Sequence, residues 1–210
     1  MTHSNPSSPV TADFRQQQQA LRSGMRLAML DAAQHLLQTE GLAGFTVRRV
    51  AQAVNCSTTL LYSQFGGKDG LSNELYLEGF ARLKQVFSGQ PQAEVQGVER
   101  LRTFARLYRD FAHHQPSYYL IMFGDGLVGF VPPQESRQTA WQSFEQLIAH
   151  FSSCMQQGLL PHSNPTAAAR LLWAAMHGVI HLELKGYYLT PAQANDLYAA
   201  SVEAALLAVS

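Results

Sequence analysis

Residues 45–71 constrain this chain more than any other stretch, because they have the pattern of two short helices joined by a tight turn and followed by a third helix. Thr46 and Ser57 each precede a segment with helical apolar spacing, where a hydroxyl can accept the free N–H groups of a first turn. Asn55 lies between the two segments and tolerates the left-handed conformation that ends a helix. We therefore predict a helix, a sharp turn and a second helix.

The second helix of this pair carries an uncharged polar surface. Leu61 and Phe65 are four residues apart and share one face. Hydroxyl and amide side chains occupy other positions, and they suit base edges in a major groove: Thr58, Thr59, Ser63 and Gln64. Lys68 then opens the next helix, where the helix dipole disfavours a cation, so its presence indicates a nearby anion such as a phosphate.

These residues resemble the DNA-binding domain of TetR-family transcriptional repressors. The resemblance is carried by Leu61-Tyr62-x-x-Phe65-x-x-Lys68-x-x-Leu71, preceded by Thr46, Ala51 and the Val54-x-x-Ser57 turn. Two departures are Asn55, where the family usually has glycine, and the pair Ser63 and Gln64, where a larger aromatic or a histidine is common. Further along, Trp173-Ala174-Ala175-Met176-His177-Gly178 resembles the WHG-type C-terminal domain of many such regulators.

The resemblance implies an all-α protein with an N-terminal three-helix helix-turn-helix domain and a C-terminal helical domain for ligand binding and dimerisation. It also implies roles in DNA contact. Arg48 would contact a phosphate or a base edge, and Tyr62 and Lys68 would hold phosphates. The complete expected DNA site is Arg48, Ser57, Thr58, Thr59, Tyr62, Ser63, Gln64 and Lys68.

Domain limits follow from composition and helical pattern. Residues 1–20 begin with a Ser- and Pro-rich stretch that has little to bury, which predicts a disordered arm. We expect the helix-turn-helix domain at residues 21–70 and the helical body at residues 71–210. Arg15, Arg22 or Arg26 either reaches DNA from the arm or belongs to a solvated lead-in, and the sequence leaves both open.

Charge and cysteine content limit the class of protein. The chain has 15 basic and 15 acidic residues, but residues 1–72 carry a net +2 and the remainder −2, the sign expected of a DNA-binding head. The two cysteines, Cys56 and Cys154, lie far apart and outside any metal-binding motif, as in a reduced protein. No apolar run is long enough for a membrane span and no signal peptide opens the chain, so we expect a cytoplasmic protein without membrane contact.

The body is rich in aromatic residues and has a Gly- and Pro-rich loop at residues 124–133. Such a body can enclose a small, largely apolar ligand. The residues expected to line this site are Tyr108, Tyr119, Met122, Trp141, Trp173 and His177. No cofactor is expected.

The last two predicted helices, residues 166–186 and 190–209, carry Ala, Leu and Val on more than one face. Such a pair needs a partner beyond its own core, which predicts a homodimer through a four-helix interface. The function that the TetR resemblance implies is a ligand-responsive regulator, a repressor rather than an enzyme, that binds a palindromic operator on double-stranded DNA and is released by an effector.

Two alternatives remain at the level of sequence. His177 and His181 are four apart on one helix, and Glu183 or the pair His113 and His114 could complete a metal site of a helical enzyme or metal-binding protein. The other alternative is a helical interaction module whose helix-turn-helix has lost DNA binding. Stoichiometric metal in the purified protein would identify the metal-binding protein or enzyme. The lack of a saturable DNA site would identify the interaction module.

Overall fold

A computed structural model describes residues 9–89, 96–124, 127, 129–188 and 190–209. Throughout these residues the regular structure is helical, without strands. The helices are α1 (Pro9–Gly44), α2 (Val47–Ala53), α3 (Thr58–Phe65), α4 (Lys68–Ser88), α5 (Val98–His114), α6 (Pro116–Phe123), α7 (Gln134–Gln156), α8 (Pro165–Leu184) and α9 (Pro191–Leu207). The predicted all-α fold is confirmed.

The chain divides into two compact units, residues 1–75 and 76–210. The predicted boundary at residue 70 falls close to the start of α4, but the first unit extends further along that helix. Leu71 and Leu75 explain the difference, because both are buried in the first unit's core beside Phe45 and Leu61. Helix α4 therefore begins in one unit and ends in the other.

Helix α1 begins earlier than the sequence analysis expected. It starts at Pro9, so residues 9–20 of the predicted disordered arm are helical, and residues 1–8 of that arm lie outside the described residues. Proline suits a first helical turn, and Gln16–Gln19, Ala20 and Leu21 have favourable helix propensities. A segment with few apolar residues to bury can therefore still form a helix, because helix propensity alone favours it. At Gly41, with φ 66° and ψ −158°, the helical path is broken where glycine was expected to stop it.

The second unit packs α5 to α9 with the C-terminal part of α4. Helix α8 packs against α7, α5 and α9, and the core includes Leu101, Tyr118, Leu147 and Phe151. The described part of α5 begins at Val98, and residues 90–95 lie outside the described residues. Along the described parts of the chain, no helix is both long and apolar enough to span a lipid bilayer.

Candidate DNA interface and effector cavity

The turn between α2 and α3 is fixed by local hydrogen bonds. The Thr46 hydroxyl accepts from the Arg49 N–H at 3.2 Å, and the Ser57 hydroxyl accepts from the Leu60 N–H at 3.2 Å. Asn55 has a left-handed φ of 52° between the two helices. Both N-caps and the left-handed turn residue are therefore as the sequence predicts, and they set the direction in which α3 leaves the turn.

Helix α3 is buried on one side and exposed on the other. Leu61 is 1% exposed and Phe65 is 7% exposed, so this side packs into the core of the first unit. The remaining polar surface of α3 is exposed, and we define the recognition face as its exposed residues Thr58, Thr59, Tyr62, Ser63 and Gln64. Ser63 donates its hydroxyl hydrogen to the Leu60 carbonyl at 2.8 Å, so it faces outward chiefly as an acceptor.

Exposed cations lie on the helices before and after α3 in the chain. Arg48 and Lys68 are both exposed, and within the described structure neither forms an ion pair with a carboxylate. The Lys68 ammonium lies 5.4 Å from the centre of the Phe45 ring, which limits the positions it can take. Arg49 differs, because its guanidinium pairs with Glu40. The two adjacent arginines thus have separate uses, and Arg48 is the one left to solvent.

The turn from α3 to α4 depends on a glycine that the sequence analysis did not single out. A Cβ atom on Gly70 would lie 1.6 Å from the carbonyl oxygen of Phe65, a distance no side chain can adopt. Gly66 ends α3 in the left-handed conformation, with φ 73°. Close approach of α4 to the end of α3 therefore positions Lys68 beside the recognition face. The motif letters alone give no signal for this contact.

A cavity of about 260 Å³ lies within the second unit. Four of the six predicted ligand residues line it: Tyr108, Met122, Trp141 and Trp173. The other lining residues come from α4 to α7: Tyr76, Phe80, Leu83, Phe87, Phe104, Phe123, Arg137, Ala140, Ser143, Phe144 and Leu147. Tyr119 and His177 are not among the lining residues. The cavity is thus walled mainly by aromatic rings, as expected for an apolar ligand.

Tyr119 and His177 lie behind the cavity wall in a polar cluster with Tyr108 and Trp173. The Trp173 indole N–H donates to the Tyr108 hydroxyl at 3.1 Å, and the Tyr119 hydroxyl is 2.6 Å from His177 Nδ1. The Tyr108 hydroxyl is 3.4 Å from the same nitrogen. Burial raises the pKa of Tyr108 and of Tyr119, so both phenols stay neutral. These polar groups bind one another and hold the aromatic wall in place.

The residues missed by the sequence analysis are mostly on α4 and α7. Tyr76, Phe80, Leu83 and Phe87 follow helical spacing along α4, which the sequence could show, but spacing alone does not distinguish a cavity wall from a filled core. Arg137 was missed because an arginine near a helix start resembles a solvated residue. It is the one charged residue among those that line the cavity.

The histidines of α8 are not arranged as metal ligands. The rings of His177 and His181 are 5.8 Å apart between centres. Glu183 receives two hydrogen bonds from the Arg109 guanidinium, at 2.7 and 3.1 Å, and lies 3.2 Å from His113 Nε2. No cluster of three or more His, Cys, Asp or Glu residues able to hold a metal occurs in the described ranges. Glu183 acts here as an ion-pair partner that ties α8 to α5.

The last two helices each expose an apolar stripe that carries no charge. We call these the terminal stripes: Leu171, Ala174, Gly178 and Leu182 on α8, and Leu197, Ala200, Ala204 and Leu207 on α9. Their spacing of three or four residues places each set along one side of its helix. Leu171, Leu182 and Leu197 are 43–44% exposed, and Leu207 is 72% exposed. Extended apolar surface of this kind is typical of a protein interface.

Comparison with known proteins gives two matching family models. The model described as "Bacterial regulatory proteins, tetR family" matches residues 29–75, and the model described as "Tetracyclin repressor-like, C-terminal domain" matches residues 101–205. The chain is 25% identical to the nucleoid occlusion factor SlmA of Marinobacter nauticus over 173 residues, which are 78% of this chain and 86% of that protein.

Two solved structures show the same fold. One is a protein of unknown function from Rhodococcus sp. RHA1, with a TM-score of 0.75 and 19% identity over 88% of this chain and 94% of that one. The other is the TetR family transcriptional regulator PfmR from Thermus thermophilus, with a TM-score of 0.64 and 20% identity over 85% of this chain and 97% of that one. At these identities the likeness concerns the fold alone.

Proposed function

The chain belongs to the TetR family of DNA-binding transcriptional regulators, and from that premise we propose that it is a repressor released from its operator by a small, largely apolar effector. It binds a palindromic site on double-stranded DNA as a homodimer. It acts in the cytoplasm, where it meets its operator. The observation that carries this proposal is the recognition face, a polar and uncharged surface, with exposed cations on the helices before and after it in the chain, Arg48 on α2 and Lys68 on α4.

The recognition face suits sequence-specific contact with a major groove. Thr58, Thr59, Ser63 and Gln64 offer hydroxyl and amide groups to base edges, and Gln64 can pair bidentately with adenine. Tyr62 is 56% exposed and can reach a phosphate together with Lys68. Ser57 holds the start of α3 and brings that end of the helix toward the DNA.

The terminal stripes support a homodimer. Two copies of α8 and α9 can pair their stripes in a four-helix arrangement around a twofold axis, so that the same surface serves both subunits. Alanine and glycine within the stripes allow close approach of the helices. A twofold dimer carries two recognition faces, which explains why a palindromic operator is expected, with half-sites about 34–36 Å apart.

Helix α4 connects effector binding to DNA binding in this proposal. Its first residue, Lys68, flanks the recognition face, and Leu83 and Phe87 near its other end line the cavity. An effector that binds more tightly to one position of this helix than to another shifts the population toward that position. The two helix-turn-helix domains of the dimer then lose the spacing that the operator requires. Only the difference in effector affinity between the two positions drives the release.

Selection of bound sequences from a random duplex library tests the proposal. The expected result is an enriched site with twofold symmetry that the purified protein binds saturably at physiological salt. Enrichment of no site would overturn the regulator, and enrichment of an asymmetric site would overturn the dimer. A variant with the recognition face disrupted, Thr58→Ala with Gln64→Ala, provides the control and should not enrich that site.

The metal-binding alternative has no comparable support. His177 contacts Tyr119 through Nδ1, and Glu183 is engaged by Arg109 and His113. His177 and Glu183 thus each have partners within the protein that account for their positions.

A further inference from the structure

We propose that the effector is a hydrophobic carboxylic acid of modest size, whose apolar part fills the aromatic cavity and whose carboxylate pairs with Arg137. This inference rests on the proposed function and adds the chemical class of the effector. The cavity has an apolar wall, which excludes a strongly polar ligand. One cation, Arg137, also lines it and attracts an anion.

The size of the cavity limits the size of the ligand. A volume of about 260 Å³ equals the liquid share of about nine water molecules, which corresponds to a ligand of roughly ten non-hydrogen atoms. This is just below the usual range of about 300–1,000 Å³ for ligand sites. An acid of this size carries one polar end and one short acyl or aryl body.

The inner polar groups of the wall cannot serve as the main polar partner of a ligand. The Tyr108 hydroxyl accepts from Trp173 and has His177 as a further neighbour. Ser143 is buried and donates its hydroxyl hydrogen to the Ala140 carbonyl at 2.8 Å. These groups are engaged within the protein, so a ligand that placed a charge deep in the cavity would lose hydration without compensation.

Arg137 is the partner with donors to spare. One of its nitrogens donates to the Pro132 carbonyl at 2.8 Å, and it forms no ion pair with any carboxylate in the part of the chain that the structure describes. Guanidinium has five N–H donors in a planar fork that matches a carboxylate. Tyr76 lines the same cavity, and burial raises its pKa while the charge of Arg137 opposes that rise.

The position of Arg137 on α7 supports the same orientation. Arg137 and Trp141 are four residues apart on this helix and both line the cavity, and Trp141 is 39% exposed. Arg137 is itself exposed, so the cation lies at the solvent side of the cavity, where a carboxylate keeps part of its hydration. Arg137 is also close to the start of α7, where the helix dipole favours an anion. Glu135, two positions earlier, projects to a different side of the helix.

Binding is measured by tryptophan fluorescence, because both tryptophans of the chain, Trp141 and Trp173, line the cavity. The probes are octanoate and 3-phenylpropanoate, each beside its own amide, octanamide and 3-phenylpropanamide. We expect at least one acid to bind about tenfold or more tightly than its amide, because a charge-assisted bidentate pair replaces a neutral contact. The two acids distinguish an acyl body from an aryl body.

Arg137→Gln should remove the preference for the acid and leave amide binding unchanged, and Arg137→Lys should retain part of it. Arg170→Gln is the matched control, because Arg170 lies 5.3 Å over the Trp141 ring and does not line the cavity. That variant should change the fluorescence baseline and keep the acid preference. Circular dichroism confirms that each variant is folded.

Three outcomes would each overturn this inference: the acids and amides bind equally, neither binds, or the acid preference remains in Arg137→Gln. The DNA selection separates its failure from that of the proposed function. If the selected site is bound but no acid is preferred, the regulator stands and the effector class is wrong. If no site is selected, the regulator is wrong even if the cavity binds acids.

Discussion

At the scale of single residues, Gln64 on the recognition face and Lys68 at the start of α4 are both exposed but offer different chemistry. The Gln64 amide can donate and accept in a fixed geometry, which discriminates between bases. The Lys68 ammonium is a point charge that attracts any phosphate, whatever the sequence. The two residues should therefore separate specificity from general affinity.

Lys68→Ala is expected to weaken binding to specific and random duplexes alike and to lower the slope of log affinity against log salt by about one. Gln64→Ala is expected to change which bases are preferred, at a cost of about 1–3 kcal/mol on the selected site. Fluorescence anisotropy titrations at several salt concentrations measure both effects. Equal losses by Gln64→Ala on specific and random DNA would exclude Gln64 as a base-contacting residue.

Gly70→Ala tests the packing that positions Lys68. The added Cβ would collide with the Phe65 carbonyl at 1.6 Å, so α4 must move away from the end of α3. We expect a destabilisation of roughly 1–3 kcal/mol or more, together with loss of DNA binding. Gly24→Ala is the control, because no atom lies within 4 Å of its Cβ, and alanine there should stabilise α1 by about 0.5–1 kcal/mol. Urea denaturation monitored by circular dichroism compares the two, and a neutral Gly70→Ala would contradict the close contact.

Around the recognition face, some features could be predicted from single residues and others could not. Thr46 and Ser57 were identifiable as caps because capping depends on the residue and its immediate neighbours. Gly70 could not be identified in this way, since its requirement comes from a carbonyl oxygen five positions earlier, brought close only by the turn. Arg48 and Arg49 look alike in the sequence, and only the folded structure shows that Arg49 pairs with Glu40.

At the scale of elements, α5 and α8 are joined by an ion pair that makes stability depend on pH. Burial raises the pKa of Glu183, but the hydrogen bonds and charge of Arg109, with His113, outweigh it and hold the pKa below its ordinary value. A depressed carboxyl pKa stabilises the fold above the unfolded value of about 4.3. That contribution is lost as the pH falls through the lower, folded value.

Glu183→Gln should therefore cost stability at pH 7, by roughly 1–3 kcal/mol for charge-assisted hydrogen bonds. The difference from the unmodified protein should shrink as the pH falls below about 4, where the carboxylate protonates. Urea denaturation at pH 7, 4 and 3 measures it. Glu99→Gln, on an ion pair whose carboxylate is 59% exposed, should show little effect at any of these values. A Glu183→Gln deficit that stays constant down to pH 3 would contradict the role of the ion pair.

Helical periodicity placed the last two helices closely, at residues 166–186 and 190–209 against Pro165–Leu184 and Pro191–Leu207, because it depends on the spacing of apolar residues along one segment. It could not give the cavity, which requires α4, α5, α6 and α7 to leave space between them. Trp173 lines the cavity, whereas His177, one turn further along α8, contacts Tyr119 behind the wall. The start of α1 was misjudged for a related reason, since residues 9–20 form a helix by propensity with few apolar side chains to mark it.

At the scale of the whole molecule, the proposed dimer and the proposed palindromic operator depend on the same surface. Each terminal stripe leaves apolar side chains exposed along one side of its helix, which is typical of a protein interface. Leu197, 44% exposed at the N-terminal end of the stripe on α9, is a suitable site for a charge. A glutamate there would be buried without a partner in the dimer, while the monomer could keep it hydrated.

Leu197→Glu is therefore expected to give a folded monomer, measured by sedimentation equilibrium at micromolar concentration. Affinity for the full palindrome should fall by about two orders of magnitude or more, because the second head is no longer held close to its half-site. Affinity for a single half-site should change little, since the substitution leaves the recognition face unchanged. Ala192→Glu, exposed in the first turn of α9 and away from its stripe, should remain dimeric with full affinity. If Leu197→Glu stayed dimeric, α9 would lie outside the interface, whereas a monomer with undiminished affinity for the palindrome would show that one head suffices.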